Sequence, residues 1–393
     1  TLDWDDQPQA FRWFDAAEKV DLPLLADTVT TPFRELYHTT GPELDRSTFE
    51  RLAILLERSL GLAAWKSYQG ASWALRCNPS SGNLHPTEAY IITSALDGLA
   101  AGVYHYLSRD HQLELRCRVD AERLAPLLSQ GSLLIGLSSI PWREAWKYGE
   151  RAYRYCQHDC GHAIAALSYA AAAVGWSVRV LDVWDDDAVE RVLGLDRLEE
   201  FDDSEREHPD VMLFVEGRGT TSADSPNPAA VVEAIESGDW QGRANQLSQR
   251  HDQNWPLIEE VARACRKPKT AAARCHYHAE PDLLPGYGDA AATALFRQRR
   301  SAQHFDGRTA ITARSLYRML DTTLPRAIVP WCSLPWSPSV HLVLFVHRVT
   351  GLRPGLYVFA RDAGKIDLLR DCIDREEFQW QKVPDCPDHL SLY

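Results

Sequence analysis

The sequence contains no apolar run near the roughly 20 residues needed to span a bilayer as a helix. Its first residues, Thr1 to Phe14, are acidic and aromatic and hold no apolar signal-peptide core. There is no excess of positive charge. Lys plus Arg is 42 against 55 Asp plus Glu, a formal net charge of −13. A general nucleic-acid or anionic-membrane binder needs basic surface, so that class is excluded; a local basic cluster can still hold one small anion. The nine cysteines are odd in number, scattered, and free of any Cys-x-x-Cys pair. Free thiols in a reducing cytosol are the expectation, hence a cytoplasmic protein. Gly-x-Ser-x-Gly, Walker and Gly-x-Gly-x-x-Gly motifs are all missing, so a Rossmann nicotinamide domain is not indicated. There is no initiator Met, and the native termini are expected to lie elsewhere.

What is present is an ordinary globular balance, 45% hydrophobic and 25% charged, with an unusual 13 Trp. At 393 residues, two domains are the natural prior. Residues 42–62 read as a helix, with Asp45 placed to N-cap it and Phe49, Leu52, Ile54, Leu55 and Leu56 forming its apolar stripe. Strands are expected at 89–95, 102–107, 133–138, 178–183 and 211–215. A long helix is expected over 152–174; its second half is apolar all round, which marks burial, and Gly175 ends it. These elements define an α+β unit over about 30–217, preceded by an N-terminal arm, 1–29. Residues 218–288 read as a linker or lid with short helices. A second unit, 289–393, holds helices at 290–300 and 312–323 and strands at 341–348 and 355–359.

The two units share a pattern. Gly-Leu-x-x-Gly-x-Tyr at 98–104 recurs at 351–357, a constant offset of 253, and the preceding strands align without a gap. Carried back, the same offset sets Pro79, Ser80, Ser81, Gly82 and Asn83 on Cys332, Ser333, Leu334, Pro335 and Trp336. The first copy keeps a donor-rich loop that the second has lost. The second copy instead opens on "RQRRSAQHFDG" (297–307), where the first has only Arg34 and no Arg-x-Ser.

Arg299, Arg300 and Ser301 suit a phosphate, because guanidinium presents a planar fork of donors to its oxygens. Alone, such a cluster is ordinarily a solvated face. Pro-Ser-Ser-Gly-Asn alone is ordinarily a turn. As a binding element that loop offers hydroxyls, an amide and backbone N–H groups to a polar heterocycle. His158, Cys160 and His162 have spacings that put neighbours on different helix faces, so packing is their expected role. Cys275, His276 and His278 lie in the linker, and no metal site is expected.

Together these motifs resemble a family. "NPSSGNLHPTEAYII" is similar to the flavin loop of the nitroreductase superfamily, "RQRRSAQHFDG" to its Arg-x-Ser-x-Arg/Lys phosphate-binding start, and "YRYCQHDCGHAIAALSYAAAAVGWSVRVL" to its central helix and following strand. The chain looks most like the tandem-domain, azoline-oxidising branch of SagB/ThcOx type. That resemblance covers about 30–217 and 290–393. It implies an α+β nitroreductase-like fold and a fused pseudo-dimer with one FMN. Arg299, Arg300 and Ser301 would hold the phosphate, and Arg76, Pro79, Ser80, Ser81 and Asn83 the rest, across the interface between copies. The position that is Arg or Lys in the family is Gln303 here, so one phosphate charge is lost. The second copy ends at Tyr393 without its own central helix; it is expected to be incomplete, and FMN to be absent from such a chain on occasion.

"WKYGERAYRY" (146–155) resembles the Lys-Tyr segment of the azoline-oxidising enzymes. The resemblance makes Lys147 the base that removes a ring proton and Tyr148 its donor or hydrogen-bond partner. The ordinary reading of the same pair is an exposed Lys and a packed Tyr. The implied activity is dehydrogenation of an azoline-like ring in a peptide or small molecule. Two rivals stand beside it: NAD(P)H-dependent reduction of nitroaromatics or quinones, and a degenerate scaffold subunit. Further oligomerisation is not legible.

Overall fold

In this computed structural model the described residues are 4, 6–38, 42, 44–129, 131–217, 225–251, 253–273, 282–286, 288–373 and 378–393. The chain divides into two compact units. The first comprises 1–273 with 288–300, and the second 274–287 with 301–393.

The first unit begins with β1 (Phe14–Asp15), β2 (Lys19–Asp21), α1 (Thr48–Ser59), β3 (Leu62–Tyr68) and β4 (Ala71–Arg76). Then come β5 (Thr87–Thr93), β6 (Gly102–Leu107), β7 (Gln112–Arg118), α2 (Ala121–Leu124), β8 (Leu133–Ser139), α3 (Pro141–Tyr148) and α4 (Ala152–Ala173). It continues with β9 (Trp176–Val180), α5 (Asp186–Leu193), β10 (His208–Gly217), α6 (Pro228–Glu236), β11 (Asp239–Trp240), β12 (Arg243–Ala244), α7 (Pro256–Ala264) and α8 (Ala292–Gln298). The main sheet is antiparallel in the order β11-β7-β6-β5-β8-β10-β9, with β2 also on β7. Every residue of β5, β6 and β8 is buried, as expected for strands covered on both faces. One face packs Tyr90, Ile92 and Val103 in a cluster with Trp184, Val189, Val192, Leu193, Val231 and Ile235.

The second unit holds β13 (Ile311–Thr312), α9 (Ala313–Asp321), β14 (Leu342–Val346), β15 (Val349–Thr350), β16 (Gly355–Ala360), α10 (Ile366–Cys372) and β17 (Ser391–Leu392). Its sheet runs β14-β16-β17, and Leu342, Leu344, Tyr357 and Phe359 cluster with Tyr317, Leu320 and Leu324. The 253-residue repeat seen in the sequence reappears as strand register. Tyr90 faces His105 and Thr93 faces Gly102; 253 positions on, Val343 faces Val358 and Val346 faces Gly355.

Three expectations are corrected. The cap of α1 is Ser47 rather than Asp45: Ser47 Oγ accepts from the Glu50 N–H at 3.2 Å and Glu50 returns the bond to the Ser47 N–H at 2.9 Å. The N-terminal segment is no free arm, since β1 pairs with β12, β2 with β7, and Arg12 is buried against Glu207 at 3.2 Å. The stretch read as linker also belongs largely to the first unit, where α6, β11, β12 and α7 pack. Residues 218–224 and the 275–278 cluster lie outside the described residues. No helix among the described residues is long and apolar enough to cross a membrane.

Candidate active site

The loop after β4 is shaped by backbone conformations that suit glycine and asparagine. Gly82 has φ 60° and Asn83 φ 61°. Its side chains hold that shape. Ser81 donates to the buried Asp159 of α4 through both its N–H and its Oγ, each at 3.0 Å. Ser80 Oγ accepts from the His85 N–H at 2.8 Å, which leaves its own O–H to donate elsewhere. Asn83 Nδ2 donates to the Ala74 carbonyl at 2.9 Å, and its Oδ1 lies 3.1 Å from His85 Nε2. Arg76 is buried and donates to the Ala10 carbonyl at 2.9 Å; burial pulls its pKa down to about 10. Pro79 lies half-buried at the head of the turn.

Arg299 closes α8 as its C-cap residue, inside the first unit. Its Nε donates to the Cys77 carbonyl at 3.2 Å, two residues before Pro79. Its two terminal guanidinium nitrogens have no hydrogen-bond partner among the described residues, and partial burial lowers its pKa. The two halves of the site singled out in the sequence, 222 positions apart at this contact, therefore meet within one unit. Arg300 turns back and donates to the carbonyls of Arg297 and Arg299, capping the helix. Ser301 and Gln303 are exposed residues of the second unit.

Lys147 and Tyr148 end α3 against the same loop. A Cβ placed on Gly82 would lie 2.5 Å from Tyr148 Oη and 3.0 Å from Lys147 Nζ. Lys147 is exposed; Tyr148 is half-buried and its ring centroid is 4.5 Å from that of Tyr155. Burial and the neighbouring Glu144 raise the Tyr148 pKa. Pro141 at the start of α3 and Gly149 after its end, with φ 58°, fix the length of the helix that carries the pair.

Sequence reading missed Glu144 and Asp159. Glu144 sits one turn before Lys147, fully buried, and neither carboxyl oxygen has a hydrogen-bond partner among the described residues. Burial, then the Asp159 carboxylate, push its pKa up to about 9, against the pull of Lys147. Folding thus raises a carboxyl pKa from about 4.5, so its favourable contribution is complete below that value and drains away as pH climbs toward about 9. Glu144→Gln is expected to be more stable than wild type near pH 8, by up to about 4 kcal/mol, and to lose that advantage near pH 5. Urea unfolding at the two pH values checks this; equal differences at both would refute it. No motif could have announced these carboxylates, because their burial comes from the packing of α3 against α4.

With the geometry in view, residues 55–201 match the model of the Nitroreductase family. The chain is similar to the trifolitoxin-processing protein TfxB of Rhizobium leguminosarum bv. trifolii, at 28% identity over 197 residues, 45% of this chain and 52% of that protein. It thus spans about half the length of that curated relative. A solved structure from Anabaena variabilis, a candidate nitroreductase, shares the fold at a TM-score of 0.63 and 21% identity, over 92% of this chain and 73% of that one. The Escherichia coli microcin synthetase McbBCD complex, solved with truncated pro-MccB17 bound, matches at a TM-score of 0.35 and 20% identity, over 47% of this chain and 68% of that one.

Proposed function

We propose that the chain is an FMN-dependent oxidoreductase that dehydrogenates an azoline-like ring in a peptide or small molecule. The observation that carries this reading is the convergence of Lys147 and Tyr148 on Gly82, in a loop whose head meets the Arg299 guanidinium. Similarity to a trifolitoxin-processing protein supports a substrate in a maturation step.

The donor set fits the cofactor: a guanidinium with two unpartnered nitrogens for phosphate, a serine O–H left to donate, and a glycine turn that admits close approach. Bound FMN would supply the hydride acceptor. The chain supplies binding and proton handling. Arg299 neutralises phosphate charge, and the Asp159–Ser81 bonds keep the loop rigid. Loss of hydride from the ring leaves a proton to be removed from the adjacent position. Lys147 Nζ is the base placed to accept it, and Tyr148 Oη would hydrogen-bond to the ring heteroatom or the amine. The second unit is read as an internal copy of the first, supported by the matching strand register.

Full-length protein mixed with FMN is expected to retain visible flavin absorbance after gel filtration and to oxidise an azoline-bearing substrate. Lys147→Ala is expected to lower kcat at least about tenfold while flavin affinity stays within about twofold. Protein that never retains flavin removes both enzyme readings and leaves the scaffold. Turnover of nitroaromatics with NAD(P)H, and none of azolines, assigns the reductase instead.

A further inference from the structure

The loop after β4 and the helix α3 lie against each other in register. Gly82 meets the end of the helix, at Lys147 and Tyr148. Three residues later the His85 carbonyl accepts from Arg143 Nη1 at 2.7 Å. At the next residue the Pro86 carbonyl accepts from the N–H of Ile140, the residue that precedes α3, at 2.9 Å. Positions 82, 85 and 86 thus run against 147–148, 143 and 140, the loop descending the helix toward its start. Arg143 lies one turn before Lys147, and residues four apart share a helix face. The face that carries the lysine therefore also carries the guanidinium that holds the loop.

That contact falls where the backbone needs holding. His85 has φ 50° and Asn83 φ 61°, conformations that residues with a side chain rarely adopt. Such strain persists only where neighbours over-determine it. Ser80 Oγ accepts from the His85 N–H at 2.8 Å and Arg143 takes its carbonyl, so both polar backbone groups of the strained residue are engaged. Arg143 is buried, and the same Nη1 also donates to Glu88. Its Nε and Nη2 have no hydrogen-bond partner among the described residues. Stability alone does not call for this arrangement. A buried ion pair can often be replaced by apolar residues without loss, and unpaired buried donors are unfavourable. What the guanidinium supplies, and an apolar side chain cannot, is a directed bond to the His85 carbonyl.

We propose that Arg143 is a positioning residue: it sets the register of the loop on α3, and so holds Lys147 Nζ and Tyr148 Oη over Gly82. This rests on the reading of that pair given above. Glu88, itself 3.0 Å from His105 Nε2, steadies the guanidinium and ties the buried ion network of the main sheet to the site.

The test removes the guanidinium without stranding a buried carboxylate. Full-length protein carrying Glu88→Gln and Arg143→Met is compared with Glu88→Gln alone at matching circular dichroism. Against that parent, kcat for an azoline-bearing substrate is expected to fall at least about thirtyfold, with KM and flavin retention within about threefold. A second readout needs neither flavin nor turnover. 3-Fluorotyrosine placed at position 148 alone gives a fluorine resonance that reports the surroundings of that ring, and loss of Arg143 is expected to shift or broaden it. If the double variant does not fold, Arg143→Ala decides. Guanidinium ion is expected to raise its kcat at least about fivefold and to return the resonance, whereas methylammonium does neither. An unmoved resonance or a failed rescue overturns the proposal. So does an unchanged kcat in the double variant where Lys147→Ala lowers it. If Lys147→Ala itself turns over at the wild-type rate, the base assignment fails, and the position-148 resonance still decides whether Arg143 sets the register.

Discussion

Gly82→Val is expected to cost about a hundredfold in dehydrogenation while the protein still folds. Two effects act together. The position has φ 60°, where a β-branched residue is an outlier, costing roughly 2 kcal/mol. The new Cβ would also stand 2.5 Å from Tyr148 Oη and 3.0 Å from Lys147 Nζ. Those atoms end flexible side chains, so they swing aside and the fold survives. What is lost is their placement over the loop, and a displacement near 1 Å suffices for a loss of that order. Steady-state kinetics beside a thermal melt checks it. A variant that melts a few degrees lower yet turns over at the wild-type rate would show that the pair has no role at the loop.

Glu88→Ala is expected to destabilise the first unit by about 3–5 kcal/mol, because it strands two buried cations. Glu88 accepts from Arg143 and, at 3.0 Å, faces His105 Nε2; His105 Nδ1 lies 2.9 Å from Glu114, itself 3.3 Å from Lys19. Burial alone would lower the His105 pKa, but its hydrogen bonds to the two carboxylates raise it to about 9. Burial likewise opposes ionisation of Glu88, and Arg143 with His105 overcomes it, bringing the carboxyl to about 2. The signs set the pH window. The raised imidazole contributes fully below about 6.5 and loses its contribution as pH rises through about 9. The depressed carboxyl contributes above about 4.5 and fails as pH falls through about 2. The Glu88–His105 pair therefore contributes most fully between about 4.5 and 6.5. In the variant the alkaline loss from His105 should be smaller and end at lower pH, because one of the two carboxylates that raise its pKa is gone. Urea titrations across this range measure both effects; a change under about 1 kcal/mol would mean that the network relaxes.

The parts of the fold legible in the sequence are those whose signal is local. Gly102–Leu107 was readable because Val103, Tyr104 and Tyr106 form a short β-prone run that follows the glycine-bearing turn at 98–102. Ala152–Ala173 was readable from its continuous apolar half. Ser47 and Glu50 spell a capping box, a signal present but passed over for Asp45. The two-residue strands β11 and β12 had no alternation to show, and their partners lie more than 100 residues away in β7 and β1. Their polar surroundings therefore read as linker. At the site, the loop and Arg299 were legible as motifs, but their meeting inside one compact unit was not. Nor was the internal use of Ser81 and Asn83, which requires knowing where Asp159 and Ala74 fall.

The return of α8 has a consequence for the order in which the protein is made. Its Ala292 N–H donates to the Thr31 carbonyl, its Thr293 hydroxyl to the Val29 carbonyl, and the helix packs on α1 and α4. Synthesis runs from the N-terminus, so most of the main sheet emerges from the ribosome well before this helix does. Until translation has passed residue 300, the glycine loop exists without its guanidinium. Ribosome-bound chains halted at 273 would carry the loop and the Lys147–Tyr148 pair but no Arg299. If Arg299 holds the phosphate as proposed, a chain halted there would lack the guanidinium that completes the first unit's anion site.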